Sequence, residues 1–107
     1  MELKDLLKFI EIEDERLKKY YGGYDDQEKR ILARTIKLTE ELGELSDEVL
    51  AHSFLQRKQK LDNHDKENLP EEFADVIITV LLLAKAMNVD IEKAFEKKVE
   101  KVNKRYE

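Results

Sequence analysis

The sequence contains no cysteine, which excludes disulfide staples and thiolate metal sites. It has no apolar run near the ~20 residues that a membrane-spanning helix requires. Its opening Met1-Glu2-Leu3-Lys4-Asp5 also lacks the apolar stretch of a secretory leader. Lys and Arg number 20 against 25 Asp and Glu, a formal net charge of −5, so no basic excess exists to grip a nucleic-acid backbone. Neither a nucleic acid nor a membrane is expected as partner, and a cytoplasmic location follows. Breakers are scarce: the one proline, Pro70, stands at the start of a predicted helix, and a single glycine, Gly43, falls inside one.

What is present is charge laid over helical periodicity. Charged residues make up 42% of the chain, against about 25% in ordinary soluble domains. At 107 residues the expectation is one domain over 1–107 with a modest core. Leu3, Leu6, Leu7, Ile10, Leu17, Tyr20 and Tyr21 recur at helical spacing and predict a first amphipathic helix over 3–21. Gly22-Gly23 would end it, and Asp25 with Glu28 would open the next as a capping box. The second helix is expected from about residue 26 to about residue 56. Its stripe is Ile31, Thr35, Leu38, Leu42, Leu45 and Val49, widened by Leu32, Ile36, Leu50 and Phe54. Residues 56–68 are polar and aperiodic and predict a loop. Asn68-Leu69-Pro70-Glu71 starts a third helix that is apolar nearly all round, and Asp90 caps a fourth whose buried stripe would be Ile91, Ala94, Phe95, Val99, Val102 and Tyr106. The fold class is therefore all-α, a four-helix antiparallel bundle. One copy cannot cover the third helix on every side, so a homo-oligomer, dimer or tetramer, is expected to use that helix and part of the second.

Two carboxylate pairs break this pattern. Glu41 and Glu44 stand three apart on the second helix, and Glu72 and Asp75 three apart on the third, so each pair shares a helix face beside apolar residues. Four acids placed against a core repel one another and lose hydration unless a cation joins them. Carboxylate oxygens are hard ligands suited to Mg²⁺ or Mn²⁺, ions that also bring phosphate oxygens to a site. The expectation from the residues is metal-dependent hydrolysis of a phosphate compound. Gly43, lying between the acids at a cost of about 1 kcal/mol in helix propensity, points to close approach by another backbone or a ligand.

The run Lys37-Leu38-Thr39-Glu40-Glu41-Leu42-Gly43-Glu44-Leu45, then Glu71-Glu72-Phe73-Ala74-Asp75-Val76, then Lys98 to Asn103-Lys104-Arg105-Tyr106, resembles the MazG-like nucleotide pyrophosphohydrolases of the all-α NTP pyrophosphatase superfamily. The resemblance extends from residue 26 onward. It implies a helical oligomer that cleaves (d)NTPs to (d)NMP and pyrophosphate, removing noncanonical or surplus nucleotides. Carried over by position, Glu41, Glu44, Glu72 and Asp75 would ligate Mg²⁺, and Glu40 would orient or deprotonate the attacking water. Lys37, Lys98, Asn103 and Arg105 would meet the nucleotide. The chain lacks the histidine-containing tail that follows the last helix in full-length MazG and looks more like the short MazG-like or dCTP-pyrophosphatase-like members.

Other readings remain beside this one. Any single Glu or Lys on a helix is ordinarily a solvated side chain; His52 and His64 form no Glu-x-x-His pattern, and Tyr20, Tyr21 and Tyr24 serve as packing residues as readily as base-stacking ones. A non-catalytic helical dimerisation module would carry the same acids merely for solubility. Within the superfamily, a dUTPase-like or phosphoribosyl-ATP pyrophosphatase-like enzyme would share the metal site.

Overall fold

The computed structural model describes residues 1–21, 26–53 and 68–107. They form four α-helices, α1 Leu3–Tyr20, α2 Gln27–His52, α3 Asn68–Ala86 and α4 Ile91–Lys104, with no strand among the described residues. The fold is all-α, as periodicity predicted. The expected Gly22-Gly23 turn, the Asp25 cap, the loop over 56–67, and residues Tyr24, Phe54 and His64 lie outside the described residues.

Local chemistry sets the helix ends. Glu2 N–H donates to Asp5 Oδ2 at 2.9 Å at the start of α1. At the start of α2, Asp26 accepts the Lys29 N–H on Oδ1 at 3.3 Å. Asp90 caps α4 as expected, its Oδ1 taking the Lys93 N–H at 3.1 Å. Between α3 and α4 the chain turns at Asn88, whose φ of 57° is left-handed. Val89 N–H donates to Ala84 O at 2.9 Å and Asn88 N–H to Lys85 O at 3.2 Å, the two bonds of a Schellman ending. Asparagine tolerates this backbone where most side chains do not.

The chain's contacts divide into two compact units, Met1–Ile31 with Leu81–Glu107, and Leu32–Val80. In the first unit α1 turns Leu6, Leu7, Ile10 and Leu17 away from solvent, while Tyr20 and Tyr21 stay exposed. Ile10, Leu81, Leu82 and Ala86 are its buried apolar residues. Asp14, with no apolar signature in the sequence, is buried in the middle of α1 and pairs with Lys18 Nζ at 3.1 Å one turn on. Gln27 Nε2 donates to Ala86 O at 3.0 Å, tying the first turn of α2 to the last turn of α3. On α4 the expected buried stripe is not buried: Phe95, Val99 and Tyr106 are all more than half exposed, and only Ile91 and Val102 are partly covered.

The second unit holds most of α2 and the first part of α3. Here the face of α2 that the chain covers is Leu38, Glu41, Leu45 and Glu48, with Arg34 and Ala51 buried above and below. Thr35, Leu42 and Val49, expected in the main buried stripe, are exposed, as are Leu32, Ile36 and Leu50. The helix therefore carries two adjoining stripes, and a single copy covers the one that contains the acids. The approach of another backbone expected at Gly43 is not found among the described residues. A methyl group placed there would meet nothing within 4 Å.

Candidate metal centre

Glu41 lies on the covered face of α2 because it sits three and four residues from Leu38 and Leu45, the apolar positions that face inward. It is 7% exposed, an unusual degree of burial for a glutamate. On α3, Glu72 is half-buried and Asp75, one turn on, is exposed. The two helices bring one carboxylate oxygen from each of Glu41, Glu72 and Asp75 within 4.8 Å of one another. All three acids belong to the second unit. Within that unit α2 and α3 place Glu41 of the first pair beside both acids of the second.

The electrostatics are those of a site short of positive charge. Burial pushes the Glu72 carboxyl above its usual range, and the charges of Glu44, Asp75, Glu41 and Glu48 push it further in the same direction. Glu41 Oε2 and Glu72 Oε2 are buried and meet no hydrogen-bond donor among the described residues. A buried carboxylate oxygen without a partner is costly, and an oxygen-seeking divalent cation would satisfy both at once. Three carboxylates with two vacant oxygens therefore fit a hard cation such as Mg²⁺ or Mn²⁺. One cation of the chain itself is nearby. Lys37 Nζ stands 3.3 Å from Glu41 Oε1 and 3.6 Å from Glu40 Oε2, and the hydrogen bond and charge of Glu41, aided by Glu40, raise the lysine's own pKa.

The other residues singled out from the sequence fall as follows. Glu44 is exposed and outside the three-carboxylate group, yet acts on Glu72 through its charge. Glu40 is exposed at the edge, beside Lys37. Lys98 and Asn103 are exposed on α4, and Arg105 is its C-cap; all three belong to the first compact unit. His52 is half-buried in the last turn of α2. Glu48 was not among the candidate site residues, although it adds to the negative field at Glu72. The signal was available, since Glu48 is four residues from Glu44 and seven from Glu41 on the same face. Thr79, buried on α3, satisfies its hydroxyl by donating to Asp75 O at 2.7 Å, so it makes no demand on the acids.

Comparison with known proteins agrees with this geometry. A family model described as the MazG nucleotide pyrophosphohydrolase domain matches residues 29–107, a span that includes all four acids of the two pairs. An uncharacterized protein YpjD from Bacillus subtilis (strain 168) is 33% identical over 99 residues, covering 92% of this chain and 85% of its own length. No solved structure matches significantly. With most of its length accounted for by that family model, the chain belongs to the MazG nucleotide pyrophosphohydrolase domain family.

Proposed function

We propose that this protein is a Mg²⁺-dependent nucleoside triphosphate pyrophosphohydrolase, splitting the α–β anhydride of a (d)NTP by addition of water to give (d)NMP and pyrophosphate. The observation that carries this reading is the pair of buried, donorless oxygens on Glu41 and Glu72, set with Asp75 in a three-carboxylate group. Glu41, Glu72 and Asp75 would hold the cation, with Mn²⁺ able to replace Mg²⁺, and Glu44 would complete the set from the exposed side. The ion would supply Lewis acidity toward phosphate oxygens and a lowered pKa for water. Glu40, exposed next to the group, is suited to orient the attacking water and take its proton. Lys37, Lys98, Asn103 and Arg105 are assigned to the nucleotide, the cations through phosphate oxygens. The cellular task would be removal of noncanonical or surplus nucleotides from the cytoplasm.

The same reading includes self-association. Phe73, Ile77 and Val80 follow one another at four- and three-residue steps on α3 and are 49%, 50% and 39% exposed, while Leu32 and Ile36 on α2 are 64% and 62% exposed. Apolar side chains so spaced form a continuous stripe along each helix, and a second copy of the chain is the occupant the expected oligomer supplies.

The test is pyrophosphate release from a panel of NTPs and dNTPs with Mg²⁺ present, repeated with Glu44→Gln and Asp75→Asn. The expected outcome is equimolar monophosphate and pyrophosphate from at least one nucleotide, reduced a hundredfold or more, about 3 kcal/mol in barrier, in each variant. A folded wild-type protein silent on the whole panel with either metal would sink the catalytic reading in favour of a helical dimerisation module.

A further inference from the structure

Resting on the metal-site reading above, we infer that Lys37 is a tethered counter-cation, which holds Glu41 in the metal-free protein and releases it when a divalent ion binds. Lys37 lies one turn before Glu41 on α2, and its ammonium is 3.3 Å from Glu41 Oε1. The carboxylate it touches is the most buried of the four acids in the two pairs. The lysine side chain, by contrast, is 55% exposed. One partner of this pair is thus fixed against the core, and the other is free to swing into water on its four-carbon stem.

The two cations compete for one carboxylate. An ion held by Glu41 would share that carboxylate with an ammonium 3.3 Å from its Oε1, and the two positive charges would repel. That repulsion weakens the ammonium's hold on Glu41 Oε1. Glu40, 3.6 Å from it, offers a nearby resting place at the rim, and phosphate oxygens arriving with the ion offer a stronger one. Free metal leaves the lysine only the exposed Glu40 at the rim, whereas a metal–nucleotide complex brings it a stronger partner, phosphate oxygens. The consequence is a site that discriminates against bare metal and favours metal carried by nucleotide.

Mn²⁺ titration followed by electron paramagnetic resonance reads this directly, without nucleotide and without turnover. Wild type, Lys37→Met, Lys37→Arg and Lys29→Met are compared, the last removing an equal charge two turns away on α2. Because a half-exposed ion pair of this kind is worth up to about 1 kcal/mol, Lys37→Met is expected to bind Mn²⁺ about three- to fivefold more tightly than wild type. Lys37→Arg and Lys29→Met should stay within about twofold of wild type. With a non-hydrolysable nucleotide triphosphate added, the order should reverse, Lys37→Met binding the metal–nucleotide complex more weakly. Unchanged or weaker Mn²⁺ binding by Lys37→Met would overturn the inference while leaving the metal site standing, as would equal tightening by Lys29→Met. Failure of both wild type and Lys37→Met to bind Mn²⁺ would overturn the metal reading and this inference together.

Discussion

Glu72 is the residue where folding and metal binding pull in opposite directions. Its carboxyl is held above the ordinary glutamate value, chiefly by burial and then by the surrounding acids, so the folded state binds its proton more tightly than the unfolded chain does. The stabilisation from that proton is complete below about pH 4.5, the ordinary value, and is lost as pH rises through the raised folded value. In a chelator, Glu72→Gln should therefore melt higher than wild type at neutral pH, with the difference closing as pH falls toward the ordinary glutamate range. Excess Mn²⁺ should invert the order by stabilising wild type and not the variant. Thermal melts across pH with and without metal would show this. A pH-independent difference in chelator would mean that Glu72 does not feel the acid cluster in the folded protein.

At the scale of the helices, the device to test is the α3–α4 turn. Asp90 satisfies the Lys93 N–H, one of the orphan donors in the first turn of α4, and Asn88 supplies the left-handed step before it. Asp90→Ala should cost about 1 kcal/mol of unfolding free energy, and Asn88→Gly should be neutral to stabilising because glycine enters that backbone freely. Asn88→Val should cost about 1–2 kcal/mol. Denaturant unfolding curves for the three variants check these signs together. Most of this level was legible in the sequence: Asp90 as cap, Asn68-Leu69-Pro70 as the start of α3, and α1 nearly to its end all depend on neighbours within a turn.

For the whole molecule, the arrangement leaves two kinds of surface unresolved by one copy: the Phe73–Ile77–Val80 stripe of α3 and the Phe95–Val99 side of α4. Ile77→Glu should shift the protein toward monomer in sedimentation velocity at micromolar concentration, since a charge placed in an apolar contact is strongly unfavourable. Wild type sedimenting as a monomer at high concentration would remove the oligomer from the proposal. Among the described residues, no helix is long and apolar enough to cross a membrane, so these exposed apolar side chains do not form a spanning segment.

The amino-acid sequence by itself determined the class of fold and the identity of the acids. Helical periodicity and capping are local properties, and the two carboxylate pairs are local too, each within one turn of its own helix. What it could not decide was rotation. Ile31, Leu38 and Leu45 belong equally well to a stripe with Leu42 and Val49 or to one with Glu41 and Glu48, and hydrophobicity favours the first. Tertiary packing chose the second, covering Glu41 and Glu48 and leaving Leu42 and Val49 exposed. The same packing buried Asp14 and Arg34, charges that a periodicity argument assigns to solvent, and left Gly43 in open space. The physical reason is that a helix's apolar pattern states which residues prefer burial, whereas the neighbouring helix determines which of two adjoining faces is covered within one chain. Here the covered face is the one that sets Glu41 beside Glu72 and Asp75, and that is the arrangement the proposed chemistry requires.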